Sequence, residues 1–265
     1  MILVADNLRI THAAITRALN ERDPAPITQV VQACEKAGAC AIDINTGPLT
    51  RDPESKMTFM VQTVQNVTHL PLLLDTVNPK AIEAGVKASN NPIIINGFSL
   101  EPLKLKYVLP IAKAHNCQII GYLLRTDGHV PADATERLNV AVKLYEQFKL
   151  AGLQDNQLII DPVIVPVSWQ DGCRQNKEIL EVLSMLPDLL GFPVKTIAGL
   201  SNLTAGGRDK SKCRLLQQTY LAMLAANNLD MALCNVLSFE IISCAKASQA
   251  LTQPDIFTWE ALPGS

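Results

Sequence analysis

The chain has 265 residues, 48 % hydrophobic and 18 % charged, which is ample material for a buried core and gives no basis for disorder. Its 23 Lys and Arg against 25 Asp and Glu leave a net charge of −2, which argues against a nucleic-acid partner that needs a basic face. The length suits one α/β barrel of roughly 250 residues, too long for a disulfide-stapled domain and short for two full domains.

In chain order, Ile2–Ala5 reads as a first strand. Its apolar run breaks at Asp6 and has no basic lead, so it does not resemble a secretory signal. A helix follows over Pro26–Ala37, stopped by Gly38, and then a strand over Cys40–Asn45. Asp52 is a candidate cap for a helix over Pro53–Val67, with Pro at its first position, and Asn78 stands likewise before Pro79–Ala88. Between them lies a strand at Pro71–Asp75. Strands at Ile93–Asn96, Gln118–Leu124, Gln157–Asp161, Lys195–Leu200 and Met231–Val236 alternate with helices at Pro102–His115, Ala132–Ala151, Asn176–Met185, Lys210–Asn227 and Phe239–Leu251. Most strands are continuously apolar, as parallel strands covered on both faces must be.

Eight βα units without a Ser/Gly-rich linker predict an α/β fold: a single domain over residues 1–265, closed as a (β/α)8 or TIM barrel. An open doubly wound sheet usually needs fewer strands. No stretch approaches the roughly 18 apolar residues of a membrane span. The seven Cys form no Cys-x-x-Cys pair, and the four His are far apart, so neither a disulfide framework nor a zinc site is expected. The cysteines, such as Cys40 in Ala39-Cys40-Ala41-Ile42, read as small buried hydrophobes of a reducing cytoplasm.

In a barrel the active site lies at the C-terminal strand ends. Here those ends carry Asp43 and Asn45, Asp75, Asn96, Asp161, and Gly199-Leu200-Ser201-Asn202. Any one Asp or Asn could simply cap the next helix, but five coinciding strand ends call for more. The set holds carboxylates, amides and a hydroxyl, with no His, Cys or Lys, so it lacks an obvious nucleophile. It suits a flat heterocycle rich in donors and acceptors. A carboxylate can accept two N–H bonds from an aminopyrimidine edge, and Asn can give one bond and take one. Magnesium on Asp43, Asp75 and Asp161 is a competing reading, but such enzymes usually add a phosphate substrate. The one Gly-rich candidate for a phosphate grip, Thr204-Ala205-Gly206-Gly207-Arg208, reads as a flexible loop, and no metal is expected.

Seven pieces in order resemble the pterin-binding barrel family, and most closely its methyltetrahydrofolate:corrinoid protein methyltransferases. They are Glu21–Pro26, Asp43-Ile44-Asn45-Thr46-Gly47, Leu74-Asp75-Thr76-Val77-Asn78, Lys80–Gly85, Ile95-Asn96-Gly97, Ile160-Asp161-Pro162 with Pro166, and Gly199-Leu200-Ser201-Asn202. The resemblance implies a pterin ring held by Asp75, Asn96 and Asp161, lined by Gly199 and Ser201, with Asp43 and Asn45 in the same substrate-binding set. Asn202 would be the catalytic residue, hydrogen-bonded to the ring nitrogen that carries the methyl group. The implied substrates are tetrahydrofolate or 5-methyltetrahydrofolate and the cobalt of a corrinoid (cobalamin) on a separate corrinoid protein. The implied setting is anaerobic one-carbon metabolism, such as O-demethylation or acetyl-CoA synthesis, in a cytoplasmic homodimer.

Two alternatives stand beside this reading: a dihydropteroate synthase-like pterin enzyme and a non-catalytic folate-binding module. The synthases carry a basic Ser-x-Arg type element on the last strand, where this chain has Leu233-Cys234-Asn235-Val236. The chain also departs from its nearest relatives, with Ala5-Asp6-Asn7-Leu8-Arg9 in place of a Gly-Glu-Arg-Ile-Asn type run.

Overall fold

The computed structural model describes residues 1–252, 258, 259 and 262; the rest of the tail assigned to the domain lies outside the described residues. Eight parallel strands close into a barrel in sequence order, with β1 paired to both β2 and β8. They are β1 (Ile2–Arg9), β2 (Ala41–Asn45), β3 (Leu72–Asp75), β4 (Ile93–Phe98), β5 (Gln118–Tyr122), β6 (Leu158–Asp161), β7 (Lys195–Gly199) and β8 (Met231–Cys234). Around them run α1 (Ala13–Glu21), α2 (Ala25–Lys36), α3 (Pro53–Gln65), α4 (Pro79–Ala88), α5 (Pro102–Ala114), α6 (Ala134–Leu150), α7 (Gly172–Leu190), α8 (Lys210–Ala226) and α9 (Phe239–Thr252).

Two apolar layers explain the strand composition. Inside the barrel, Val4, Ala41, Leu73, Ile94, Ile120, Ile159, Ile197 and Met231 form one packed layer. Between barrel and helices, the alternate strand residues join the helix faces in a larger core, including Ala5, Ile42, Ile44, Leu74, Ile95, Ile119, Ile160 and Ala198. Each strand is therefore apolar on both faces.

The sequence reading needs several corrections. Strand β1 runs four residues past Ala5, to Arg9, and its pairing with β2 shifts register between Ala5 and Leu8. A bulge of this kind lets polar residues continue a strand whose apolar signal has stopped. Helix α1 was not expected; Ile15, Ala18 and Leu19 give it a short buried stripe at helical spacing. Helix α7 is longer at both ends than Asn176–Met185, because Pro187 is tolerated within its last turn and the helix stops at Gly191, with φ +79°. Strands β5, β7 and β8 end earlier than read. Asn78 does cap α4, accepting from the Lys80 N–H at 3.1 Å, whereas Asp52 makes no side-chain cap and sits at φ +49°. Cys40 and Cys173 are exposed and Cys213 and Cys244 half-buried, so only Cys34, Cys117 and Cys234 are buried as expected.

Candidate active site

Strand periodicity builds the site. On each strand the residue two positions after an inner-layer residue again points into the barrel. That step leads from Val4 to Asp6, Ala41 to Asp43, Leu73 to Asp75, Ile94 to Asn96, Ile120 to Tyr122, Ile159 to Asp161 and Ile197 to Gly199. The parallel register then sets Arg9, Asn45, Asp75 and Asn96 shoulder to shoulder across β1 to β4, and pairs Tyr122 with Asp161 across β5 and β6. The result is an apolar floor beneath a polar ring.

These residues enclose a cavity of about 180 Å³ at the C-terminal mouth of the barrel. All eight residues singled out in the sequence line it: Asp43, Asn45, Asp75, Asn96, Asp161, Gly199, Ser201 and Asn202. Three polar residues that the sequence reading missed line it too, namely Asp6, Arg9 and Tyr122.

Much of the ring is already bonded to itself. The Asn45 amide donates to Asp75 at 2.5 Å, and its Oδ1 accepts from the Gly47 N–H at 3.2 Å. The Tyr122 hydroxyl donates to Asn96 Oδ1, and the Lys104 ammonium lies 5.4 Å from the Tyr122 ring centroid. Arg9 forms an ion pair with the buried Asp6, donates to the Asp6 carbonyl at 2.6 Å and reaches Ser201 Oγ at 3.4 Å. Asp161 Oδ1 accepts from the Val163 N–H at 2.8 Å, holding Val163 at φ +65°, a costly conformation for a β-branched residue. Gly97 follows Asn96 where β4 and β5 nearly touch: a Cβ there would stand 2.3 Å from the Ile120 carbonyl oxygen.

Among the described residues, two buried carboxylate oxygens of the ring, Asp6 Oδ1 and Asp43 Oδ1, accept no hydrogen bond. Asn202 differs from the rest. It lies on a short 3-10 segment, Leu200–Thr204, at the exposed rim, and its side-chain amide makes no hydrogen bond to the described residues.

Burial sets the charge state of the ring. It raises Asp75 to about 6, against the pull of Lys104, and Asp161 to about 7, against the Val163 N–H and the buried Arg137 behind it. Asp43 is pushed well above the carboxylate range, first by burial and then by Asp75 and Asp6. Asp6 is raised by burial, with Arg9 opposing. The free site is therefore a set of carboxylates short of partners, which costs stability when they ionise.

The sign is testable. A carboxyl group raised on folding binds more protons folded than unfolded, so stability falls as pH rises towards the folded value. Asp161→Asn keeps the acceptor for Val163 and removes the titration. Its melting temperature is expected to exceed wild type by about 2–4 °C at pH 8, the shift that ~1 kcal/mol gives in a chain of this size, and by less at pH 5. A pH-independent gap, or a variant less stable at pH 8, would show that burial of this charge is not costly.

The closed barrel thus carries at its mouth a ring of carboxylates and amides, a set rich in hydrogen-bond acceptors. Residues 8–233 match the pterin binding enzyme family, and the chain belongs to it. It is 23 % identical over 259 residues to the methylcorrinoid:tetrahydrofolate methyltransferase of Eubacterium limosum, covering 96 % of this chain and 92 % of that one. Among solved structures, it is similar to Yersinia pestis dihydropteroate synthase with a pterine-sulfa conjugate, at TM-score 0.69 and 17 % identity over 94 % of this chain and 93 % of the other. A Coxiella burnetii dihydropteroate synthase with pteroic acid gives TM-score 0.65 and 14 % identity over 86 % and 87 %. At such identities the last two likenesses show the fold. No helix among the described residues is long and apolar enough to cross a membrane.

Proposed function

We propose that this enzyme moves a methyl group between a cobalt corrinoid, carried by a separate protein, and N5 of tetrahydrofolate. One observation carries the reading: the strand ends join acceptor-rich carboxylates at the cavity wall to a single unengaged amide, Asn202, at the rim. The relative from Eubacterium limosum, matched along nearly its whole length, supports the choice of reaction.

In this account the pterin lies in the cavity with its aminopyrimidine edge on Asp75 and Asp161. Asn45 and Tyr122 act as positioning residues, since their polar groups are spent on Asp75 and Asn96. The methyl-bearing nitrogen then faces Asn202 and the open mouth. Running towards tetrahydrofolate, the N5 lone pair attacks the methyl carbon and the cobalt–carbon bond breaks with its electron pair left on cobalt(I). N5 then loses its proton to water at the mouth. Asn202 Oδ1 can accept from N5–H as positive charge develops there, a bond that strengthens in the transition state. In reverse, cobalt(I) attacks the methyl carbon, and a hydrogen bond to N5 assists departure of a poor amine leaving group. The nucleophile is N5 in one direction and cobalt(I) in the other, so no covalent enzyme intermediate is needed.

Ring N–H donors favour the ionised form of Asp75 and Asp161. Tetrahydrofolate affinity is therefore expected to rise with pH through the interval of about 6 to 7 and level off above it, with proton release on binding. Calorimetry in buffers of different ionisation enthalpy measures that proton directly; a pH-flat affinity without release would place the ring away from these carboxylates. The same protein incubated with pterin pyrophosphate and p-aminobenzoate separates the sister activity, and dihydropteroate formation would replace the reading proposed here. Assembly as a homodimer is part of this proposal, checked by light scattering.

A further inference from the structure

Beside the inner cavity lies an outer chamber of about 1000 Å³, and Arg9 lines both. Its walls include His12 after β1, Lys210 and Arg214 on the first turns of α8, and Leu237 and Phe239 at the turn into α9. The two chambers are opposite in charge. The inner one sets Asp6, Asp43, Asp75 and Asp161 against Arg9 alone, and Arg9 is already paired with Asp6. The outer one sets Arg9, Lys210 and Arg214 against one carboxylate, Glu240. Glu240 is itself engaged, accepting from the Ser238 hydroxyl at 2.7 Å and lying 3.5 Å from Arg214. The side chains of Lys210 and His12 make no hydrogen bond or ion pair with the described residues.

We propose that the outer chamber is a subsite for the anionic tail of the folate, and that its preferred substrate carries additional γ-linked glutamates. The inference rests on the pterin reading of the inner cavity. A folate pairs a donor-rich ring at one end with carboxylates at the other, and the adjoining chambers match that order of charge. Each added γ-glutamyl unit brings one more carboxylate. Once the ring is seated, the tail is held beside Lys210 and Arg214 at high effective concentration, so contacts that would be weak alone contribute to affinity.

The test is calorimetric titration with 5-methyltetrahydrofolate as the monoglutamate and the triglutamate, at low and at high salt. Wild type is expected to bind the triglutamate roughly fivefold tighter at low salt, the scale of two or three exposed charge pairs. High salt should erase most of that preference through screening. The Lys210→Gln/Arg214→Gln double variant should lose the preference, because it weakens the triglutamate more than the monoglutamate, whose shorter tail brings fewer carboxylates. Arg214 and Glu240 are 48 % and 43 % exposed, so the fold does not hang on that pair. Lys210→Gln alone, which breaks no hydrogen bond or ion pair of that side chain with the described residues, should shift the preference in the same direction. Equal affinities for the two forms in wild type, or a preference that survives in both variants, would overturn the tail subsite alone. Failure of wild type to bind either form would overturn the pterin reading and this one together.

Discussion

Replacing Asn202 with alanine is expected to slow methyl transfer by about 10²- to 10³-fold, the usual effect of removing one positioned hydrogen-bond partner of a transition state. Tetrahydrofolate affinity should stay within a few-fold of wild type. The split follows from position. Asn202 sits at the exposed rim on one short 3-10 segment, outside the two bonded pairs Asn45–Asp75 and Tyr122–Asn96. Its amide has no partner among the described residues, so truncation leaves no buried orphan and removes little stability. In the proposed mechanism, what it removes is the uncommitted amide that faces the methyl-bearing nitrogen. Single-turnover rates and calorimetric affinities, measured on the same preparation, read the two effects separately. Unchanged turnover takes Asn202 out of the mechanism, and a proportional loss of affinity makes it a binding residue instead.

The second large effect is on binding. Asp161→Ala and Asp75→Ala should each weaken tetrahydrofolate by about 10- to 100-fold, since a hydrogen bond to a charged group contributes about 1.5–3 kcal/mol and its loss strands a ring N–H in the cavity. The two losses differ in kind. Asp75→Ala also frees the Asn45 amide, while Asp161→Ala releases the turn at Val163. Asp161→Asn separates these contributions, because its amide oxygen can still hold Val163 but one ring donor now meets an N–H. Weak binding in the Asn variant assigns the loss to charge; wild-type affinity in both alanine variants would mean that the pterin lies elsewhere. In the proposed account, Asp161 is thus expected to cost the free protein stability through its buried charge and to give the bound one affinity.

Much of the fold is legible because a barrel repeats one unit. Runs such as Leu72-Leu73-Leu74 and Ile93-Ile94-Ile95 are unambiguous strands, each closed by a polar residue where apolar cover ends. The same feature marks Asp75, Asn96 and Asp161. The misses have definite causes. At β1 the apolar run stops at Ala5 although the pairing continues through a bulge, so Asp6 and Arg9 were left outside the strand. Tyr122 was read as part of an apolar strand, whereas its hydroxyl is a polar member of the ring. Both Asp6 and Tyr122 could have been found by stepping two residues on from Val4 and Ile120, the same step that leads to the other ring residues. Hydrogen-bond commitment is a different matter. That the Asn45 amide is spent on Asp75, 30 residues on, while the Asn202 side chain makes no hydrogen bond to the described residues, is set by the closed barrel and is encoded by no local pattern. The outer chamber was hidden for the same reason, since His12, Lys210 and Phe239 meet only after the barrel closes.

The central claim is the methyl transfer itself. The most direct measurement mixes the enzyme with tetrahydrofolate and methylcobalamin under anaerobic conditions, follows the absorbance of cobalt(I), and quantifies 5-methyltetrahydrofolate at the end. The expected result is enzyme-dependent loss of methylcobalamin, with one 5-methyltetrahydrofolate formed for each cobalt(I) released, reduced in Asp161→Ala at subsaturating tetrahydrofolate and strongly slowed in Asn202→Ala at any concentration. A rate no faster than the reaction without enzyme, from a protein that binds tetrahydrofolate and transfers no methyl to or from either methylcobalamin or a methylated corrinoid protein, would contradict it.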